Sequence, residues 1–264
     1  MNCCTSSTGS IGTGWTTLHG ISDGNNNIRK ESVGIKMANK DKEIITIKTP
    51  NILKTNITLV GDTPLIVHAW GSKAKKMMLE AQQKVKKDKK AMAIRDPFSE
   101  FMEALYWITP QPEENTPEAF EEAVRNGAKF GFPITAIKQA ALSACYRAGV
   151  IPNQTGMKSV FYLNAVDGVN NGTGSELAVI ETENPPYCRE DMVKIGGMTK
   201  VADLRYRPCF ENWKIHLTVS LIDVGTFTME NIINAIEMGG FMNGIGEWRM
   251  ERDGDFGRFH IEKE

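Results

Sequence analysis

The chain has 264 residues, 41% hydrophobic and 24% charged, enough apolar material for one large domain or two small ones. A net charge of −1 and a pI near 6.5 exclude a uniformly basic nucleic-acid or membrane binder, so any such activity must come from local clustering. The five cysteines, at positions 3, 4, 145, 188 and 209, show no CxxC spacing and read as reduced cytosolic thiols, so a cytoplasmic protein is expected.

Residues 1–50 are rich in Ser, Thr, Gly and Asn (TSSTGSIGTG, SDGNNNIRK) and lack any period, which predicts a disordered extension. Met37 is a plausible true start. No apolar run is long enough to span a membrane, and no signal peptide is apparent. From residue 51 on, the pattern suits a single α+β domain with a helical insertion over 72–149.

NITLV (56–60) reads as a strand, followed by the turn and apolar run of GDTPLIVHAW. Residues 72–95 then predict a helix opened by Ser72. It carries nine Lys or Arg, Lys75, Lys76, Lys86 and Lys87 among them, against Glu80 and Asp88. That excess reads either as a solvated face or as an element that contacts phosphates. DPFSEFMEALYWI sets Phe98, Phe101, Met102, Leu105 and Ile108 at helical spacing, a core helix.

QPEENTPEAFEEAVRNG predicts a short peripheral helix with Thr116 as cap, Pro117 at the first turn and Gly127 as terminator. FGFPITAIKQAALSACYRAG predicts a further helix between Pro133 and Gly149. KSVFYLNAV (158–166) and SELAVIE (175–181) read as a hairpin around DGVNNGTG. Residues 189–207, with three arginines, two lysines and Tyr206, suit either a loop crossing a sheet face or a long hairpin. WKIHLTVSLI alternates strictly and predicts a strand buried on one face. Thr228 caps a helix carrying Met229, Ile232, Ile233 and Ile236, which Gly239-Gly240 is expected to stop, and RFHIE closes the chain as a strand.

Between that last helix and strand lies GGFMNGIGEWRMERDGDFGRF (239–259), with six glycines and three arginines. Glycines let backbone N–H groups approach an anion, arginines supply forked donors, and Trp248 and Phe256 offer faces for bases. The bland alternative makes the glycines a helix stop and a hairpin turn, with the aromatics in the core. A dinucleotide site is excluded because the G-x-G follows a helix rather than a strand.

The terminal order of strand, helix, Gly-rich loop and strand, with ITLVGDTPLIV upstream, resembles the RAMP superfamily of CRISPR-associated RNA-binding proteins. The matching residues are Gly239, Gly240, Gly244, Ile245, Gly246 and Gly254 through Phe259. The resemblance implies a ferredoxin-like antiparallel sheet with helices on one face and a glycine loop that meets RNA. The acidic residues Glu247, Glu251, Asp253 and Asp255 depart from the more basic loops of that superfamily. GxGEWR near the carboxyl end also resembles uncharacterised phage proteins, which implies a phage origin.

The function expected is non-catalytic binding of RNA or single-stranded DNA by Lys75, Lys76, Lys86, Lys87, Arg205, Tyr206, Gly244, Gly246, Trp248, Arg249, Arg252 and Arg258. The alternative is a protein-interaction module, a phage assembly or anti-defence factor. No catalytic motif, metal-ligand spacing or cofactor fingerprint occurs. A metal-independent nuclease using His216 or His260 is a weaker third reading, and Asp203 with Asp223 would hold a metal only by converging.

Overall fold

The computed structural model describes residues 49–71, 75, 78–80, 82–83, 95–170, 175–195 and 201–263. The disorder expected up to residue 48 and most of the lysine-rich helix, including Lys76, Lys86 and Lys87, lie outside these residues.

The main sheet is antiparallel throughout. Strand β1 (Ile52–Gly61) lies at its centre, paired on one side with β10 (Phe259–Ile261) and on the other with β9 (Trp213–Ile222). Beyond β9 come β4 (Phe161–Ala165) and the two-residue β6 (Glu181–Thr182), each paired with a different stretch of β9. The alternation read in WKIHLTVSLI is realised: Trp213, Ile215, Leu217, Val219 and Leu221 are buried. Ile57 and Leu59 of β1, Phe161 and Leu163 of β4, and Phe259 of β10 bury the same face, as the period of two requires.

Two helices cover that face, α3 (Ile134–Arg147) and α5 (Met229–Met242), packed on each other. Thr228 forms a capping box with Asn231 at the start of α5. The expectation that Gly239-Gly240 ends this helix is corrected, because α5 runs through both to Met242. A Cβ on Gly239 would sit 2.7 Å from the Ala141 nitrogen of α3, and one on Gly240 would collide with the Phe259 carbonyl of β10. These glycines are gaps that let backbones approach, and a glycine pair in a sequence does not distinguish that use from a helix stop.

The opposite face of the sheet is polar and uncovered by these helices. Thr58 hydrogen-bonds His216 Nδ1 at 2.9 Å, Glu181 meets His216 Nε2 at 3.0 Å, and Asp62 meets His260 Nδ1 at 2.6 Å.

Between β1 and α3 the chain inserts α1 (Pro97–Ala104), α2 (Pro117–Arg125) and β3 (Gly131–Pro133). Asp96 caps α1 and Thr116 caps α2, each followed by proline at the first helical position. Helix α2 is less peripheral than its acidic sequence suggests. Phe120 is buried against Phe98, Phe101, Trp107 and Phe130, a contact set that adds about 0.5–1.5 kcal/mol per aromatic pair to ordinary burial.

The expected hairpin of residues 158–166 with 175–181 is also corrected. β4 pairs with β9, whereas β5 (Leu177–Val179) pairs with β3. A short helix, α4 (Gln154–Val160), capped by Asn153, leads into β4. Of residues 189–207, those described take the hairpin alternative: β7 (Tyr187–Ile195) pairs with β8 (Val201–Phe210) from Tyr187↔Cys209 to Ile195↔Val201. The short β2 (Leu65–Ile66) pairs with the far end of β8 and completes a second sheet. The architecture is therefore mixed α and β with antiparallel sheets.

Candidate nucleic-acid interface

The glycine-rich segment is a folded plug, and much of its backbone is bonded internally. The amides of Asn243 and Gly244 both donate to the Gly239 carbonyl at the end of α5. Ile245 donates to Gly257, Glu247 to Ile66 and Gly257 to Pro64, each at 2.9 Å, so the loop is laced both to itself and to the strand-turn after β1. Asn243, fully buried, donates its side-chain amide to the Ala140 carbonyl at 2.8 Å and fixes the loop to α3. Gly257 has φ +68° and lies against the Ile245 carbonyl where a Cβ would collide, a place only glycine fills without strain. The Gly244 amide is thus unavailable to a phosphate, and Gly246 offers its carbonyl inward, to Arg249 Nη1 at 3.0 Å.

Two of the four arginines expected to meet phosphates are matched internally by carboxylates. Arg249 pairs with Glu251 at 2.9–3.0 Å, and Glu251 takes a second guanidinium from Arg147 at 2.7 Å. Arg205 meets Asp203 at 3.0 Å, and Asp203 is also held by Arg95 at 2.6 Å. Burial would raise the Asp203 carboxyl, but Arg95 and Arg205 outweigh it and keep the group below its ordinary value. Arg258 is half-buried with its guanidinium 5.8 Å from the Phe241 ring. Arg252 is exposed and makes no ion pair among the described residues, and Lys75 is exposed.

Tyr206 lies 5.8 Å from the Arg95 guanidinium; burial and then a hydrogen bond to Glu190 push its phenol upward. Trp248 is 37% exposed and adopts φ +51°, rare for a bulky side chain. Its carbonyl accepts from the Phe256 amide at 3.1 Å, which draws the loop back across it.

Two clefts gather part of the expected set. Gly244, Gly246, Arg249 and Arg252 line one of about 510 Å³ between the loop and α3, together with His68, Trp70 and Tyr106. Lys75 lines a second of about 840 Å³. Trp70, Tyr106 and Pro133 line both, so the two adjoin as one groove. Arg205, Tyr206, Trp248 and Arg258 line neither.

Trp70 is 59% exposed, a large indole standing at the groove's edge. Tyr106 donates its hydroxyl to the His68 carbonyl at 3.2 Å, which fixes its ring; burial, with Glu247 nearby, raises its phenol. Sequence reasoning missed Trp70, Tyr106 and the groove amides Gln111, Asn115 and Gln139. The one usable signal was a tryptophan beside Gly71, where an apolar run leaves the core.

Acidic residues share the groove. Glu247 lies 3.7 Å from His68 Nδ1 and 3.7 Å from Arg207 Nη2. His68 first, and Arg207 after it, hold the Glu247 carboxyl below its ordinary value against the opposing effect of burial. Aromatic faces, amides and cations together are able to stack bases and neutralise phosphates. The His216–Glu181 and His260–Asp62 pairs lie on the open sheet face, outside both clefts.

No cluster of metal-ligating side chains occurs among the described residues. No helix among them is long and apolar enough to cross a membrane. No protein-family profile matches the chain, and no curated protein matches it.

Proposed function

We propose that the protein binds single-stranded nucleic acid, RNA or DNA, without cleaving it, along the groove between the glycine-rich loop, α3 and the chain around Trp70. The observation that carries this reading is the groove's lining: Trp70 and Tyr106 stand where the two clefts join, with Arg249 and Arg252 on one side and Lys75 on the other. Stacking on rings beside cations suits single strands of any sequence, and each stacked base contributes about 1–3 kcal/mol.

The topology supports the same reading. Taken in chain order, β1, α3, β4, β9, α5 and β10 alternate strand, helix, strand, strand, helix, strand, with sheet order β10-β1-β9-β4. We read this order as ferredoxin-like, in keeping with the RAMP resemblance. The phosphate contacts rest on Arg252 and Lys75 rather than on the internally paired Arg249 and Arg205.

The test is fluorescence anisotropy of labelled single-stranded RNA and DNA at about 50 and 200 mM salt, a range over which phosphate contacts lose much of their affinity. Trp70→Ala should weaken binding roughly 5- to 150-fold, the equivalent of one lost stack. Lys75→Ala/Arg252→Ala should reduce the salt dependence by roughly 0.7 per phosphate contact removed. Absence of binding at low salt refutes the reading, as does salt-sensitive binding indifferent to both variants. In the former case the protein-interaction reading takes its place, for which Phe241, 70% exposed at the end of α5, is the natural anchor.

A further inference from the structure

Of the long strands among the described residues, only one lacks a neighbouring strand along the whole of one edge, since β1 is covered in part by β10 and β8 in part by β2. Among the described residues, β2, β3, β4, β5, β6 and β10 run two to five residues, and β3 ends in proline. Short strands and proline are how proteins blunt edges that would otherwise recruit another chain. Strand β7 has nine residues, pairs only with β8, and contains no proline. None of the backbone hydrogen bonds formed outside the sheets and helices of the described residues involves it. Among the described residues, its outward N–H and C=O groups therefore meet no second strand.

The charges along this edge, Glu190 and Lys194, are of opposite sign, so they bar indiscriminate pairing but leave room for a partner of matching pattern. Residues Cys188, Glu190, Met192 and Lys194 form its exposed row, with Met192 68% exposed, whereas Arg189, Asp191 and Val193 are more buried.

We propose that the outer edge of β7 joins the same edge of a second copy of this chain, so that two β2-β8-β7 sheets become one across a two-fold axis at Met192. The pattern of charge selects both the partner and the register. Hydrogen-bonding groups alternate along a strand, so residues that face each other in an antiparallel self-pair must lie an even number of positions apart, which centres every allowed register on a residue. Centring on Glu190 or on Asp191 sets two like carboxylates face to face, which is destabilising. Centring on Val193 sets Lys194 opposite Met192 and leaves no opposite charges matched.

Centring on Met192 sets Glu190 opposite the partner's Lys194, and by symmetry Lys194 opposite the partner's Glu190, with the two exposed Met192 side chains meeting between them. That register matches opposite charges twice, sets no like charges opposite each other, and covers the most exposed apolar side chain of the strand.

Sedimentation equilibrium of the full chain across the micromolar range tests this, with charge-reversal variants of the two surface positions. The wild type should show twice the monomer mass. Glu190→Lys should be monomeric because lysines then face lysines, and Lys194→Glu should be monomeric because glutamates face glutamates. An equimolar mixture of these two variants should recover the doubled mass, since one copy then presents only lysines and the other only glutamates.

As a check independent of charge, Met192→Cys should form an intermolecular disulfide on mild oxidation that the wild type does not, because Cα atoms facing across an antiparallel pair lie about 4.5–5.5 Å apart, within disulfide range. A wild type that stays monomeric throughout overturns the proposal. So does a doubled mass that survives both single reversals, or a mixture that stays monomeric while Met192→Cys fails to cross-link.

Discussion

Helix α5 contacts α3 through a glycine, and the same substitution made at two glycines separates the reason from its rivals. Alanine at Gly156, exposed in α4 with nothing within 4 Å of a Cβ, should gain helix propensity alone, about 0.5–1 kcal/mol. Alanine at Gly239 gains the same propensity but places its Cβ 2.7 Å from the Ala141 nitrogen and 2.9 Å from its Cα. Ordinary contact begins near 3.4 Å, so the helices must part by about 0.7 Å, and the obstructing atoms are backbone that no rotamer change can move aside. Overpacking of this kind costs about 1–3 kcal/mol, which leaves Gly239→Ala net destabilised by up to about 2 kcal/mol. The two variants should differ by about 1–3 kcal/mol, a separation of roughly 2–12 °C in Tm for a chain of this size. Thermal and urea unfolding of wild type, Gly156→Ala and Gly239→Ala, followed by circular dichroism, measure it. If Gly239→Ala is stabilised as much as Gly156→Ala, the glycine is only a flexible point in the helix and the close-approach argument fails.

Three further outcomes follow from the packing and the charges. Trp213→Phe should destabilise by about 1–3 kcal/mol in urea unfolding, because it empties part of a fully buried site and strands the Thr63 carbonyl that the indole Nε1 reaches at 2.9 Å. Asp191→Asn should cost about 1–3 kcal/mol, since it removes the carboxylate that Arg189 meets at 2.7 Å and leaves the buried Arg207 with only Glu247 at 3.7 Å; hydrogen exchange over residues 187–210 should report strands that open more often. The Glu247 carboxyl is held below its ordinary value, so its contribution is complete above the ordinary glutamate range and is lost as the pH falls through its lower folded value. Glu247→Gln should therefore flatten the acid limb of a stability–pH profile below about pH 4.5, and an unchanged limb would show that His68 and Arg207 do not act on this group.

What the sequence disclosed follows from the range over which each signal acts. Strand β9 was legible because alternation is a property of ten consecutive residues, and the caps at Thr116 and Thr228 because each bonds an amide three residues away. The use of the loop's glycines is not legible in the sequence, because composition is blind to partners. Glycine serves equally where a chain must bend toward an anion and where two backbones must touch, and only the positions of Ala141, Phe259 and Ile245 distinguish these uses.

The pairing of two of the arginines is hidden for the same reason. Arg205 and Arg249 each lie two residues from their carboxylate partners, Asp203 and Glu251, a spacing that in a strand places both on one face and in this loop brings them within 3.0 Å. Counting positive charge overstated what is left for a phosphate, whereas subtracting these near neighbours leaves Arg252 unpaired within the loop. The groove was invisible at that stage because Trp70, Tyr106, Gln139 and Arg252 come from four separate segments that meet only once α3 is seated on α5. A search for single-stranded binders of this architecture should therefore weigh unpaired cations near exposed rings, and discount arginines with a carboxylate two positions away.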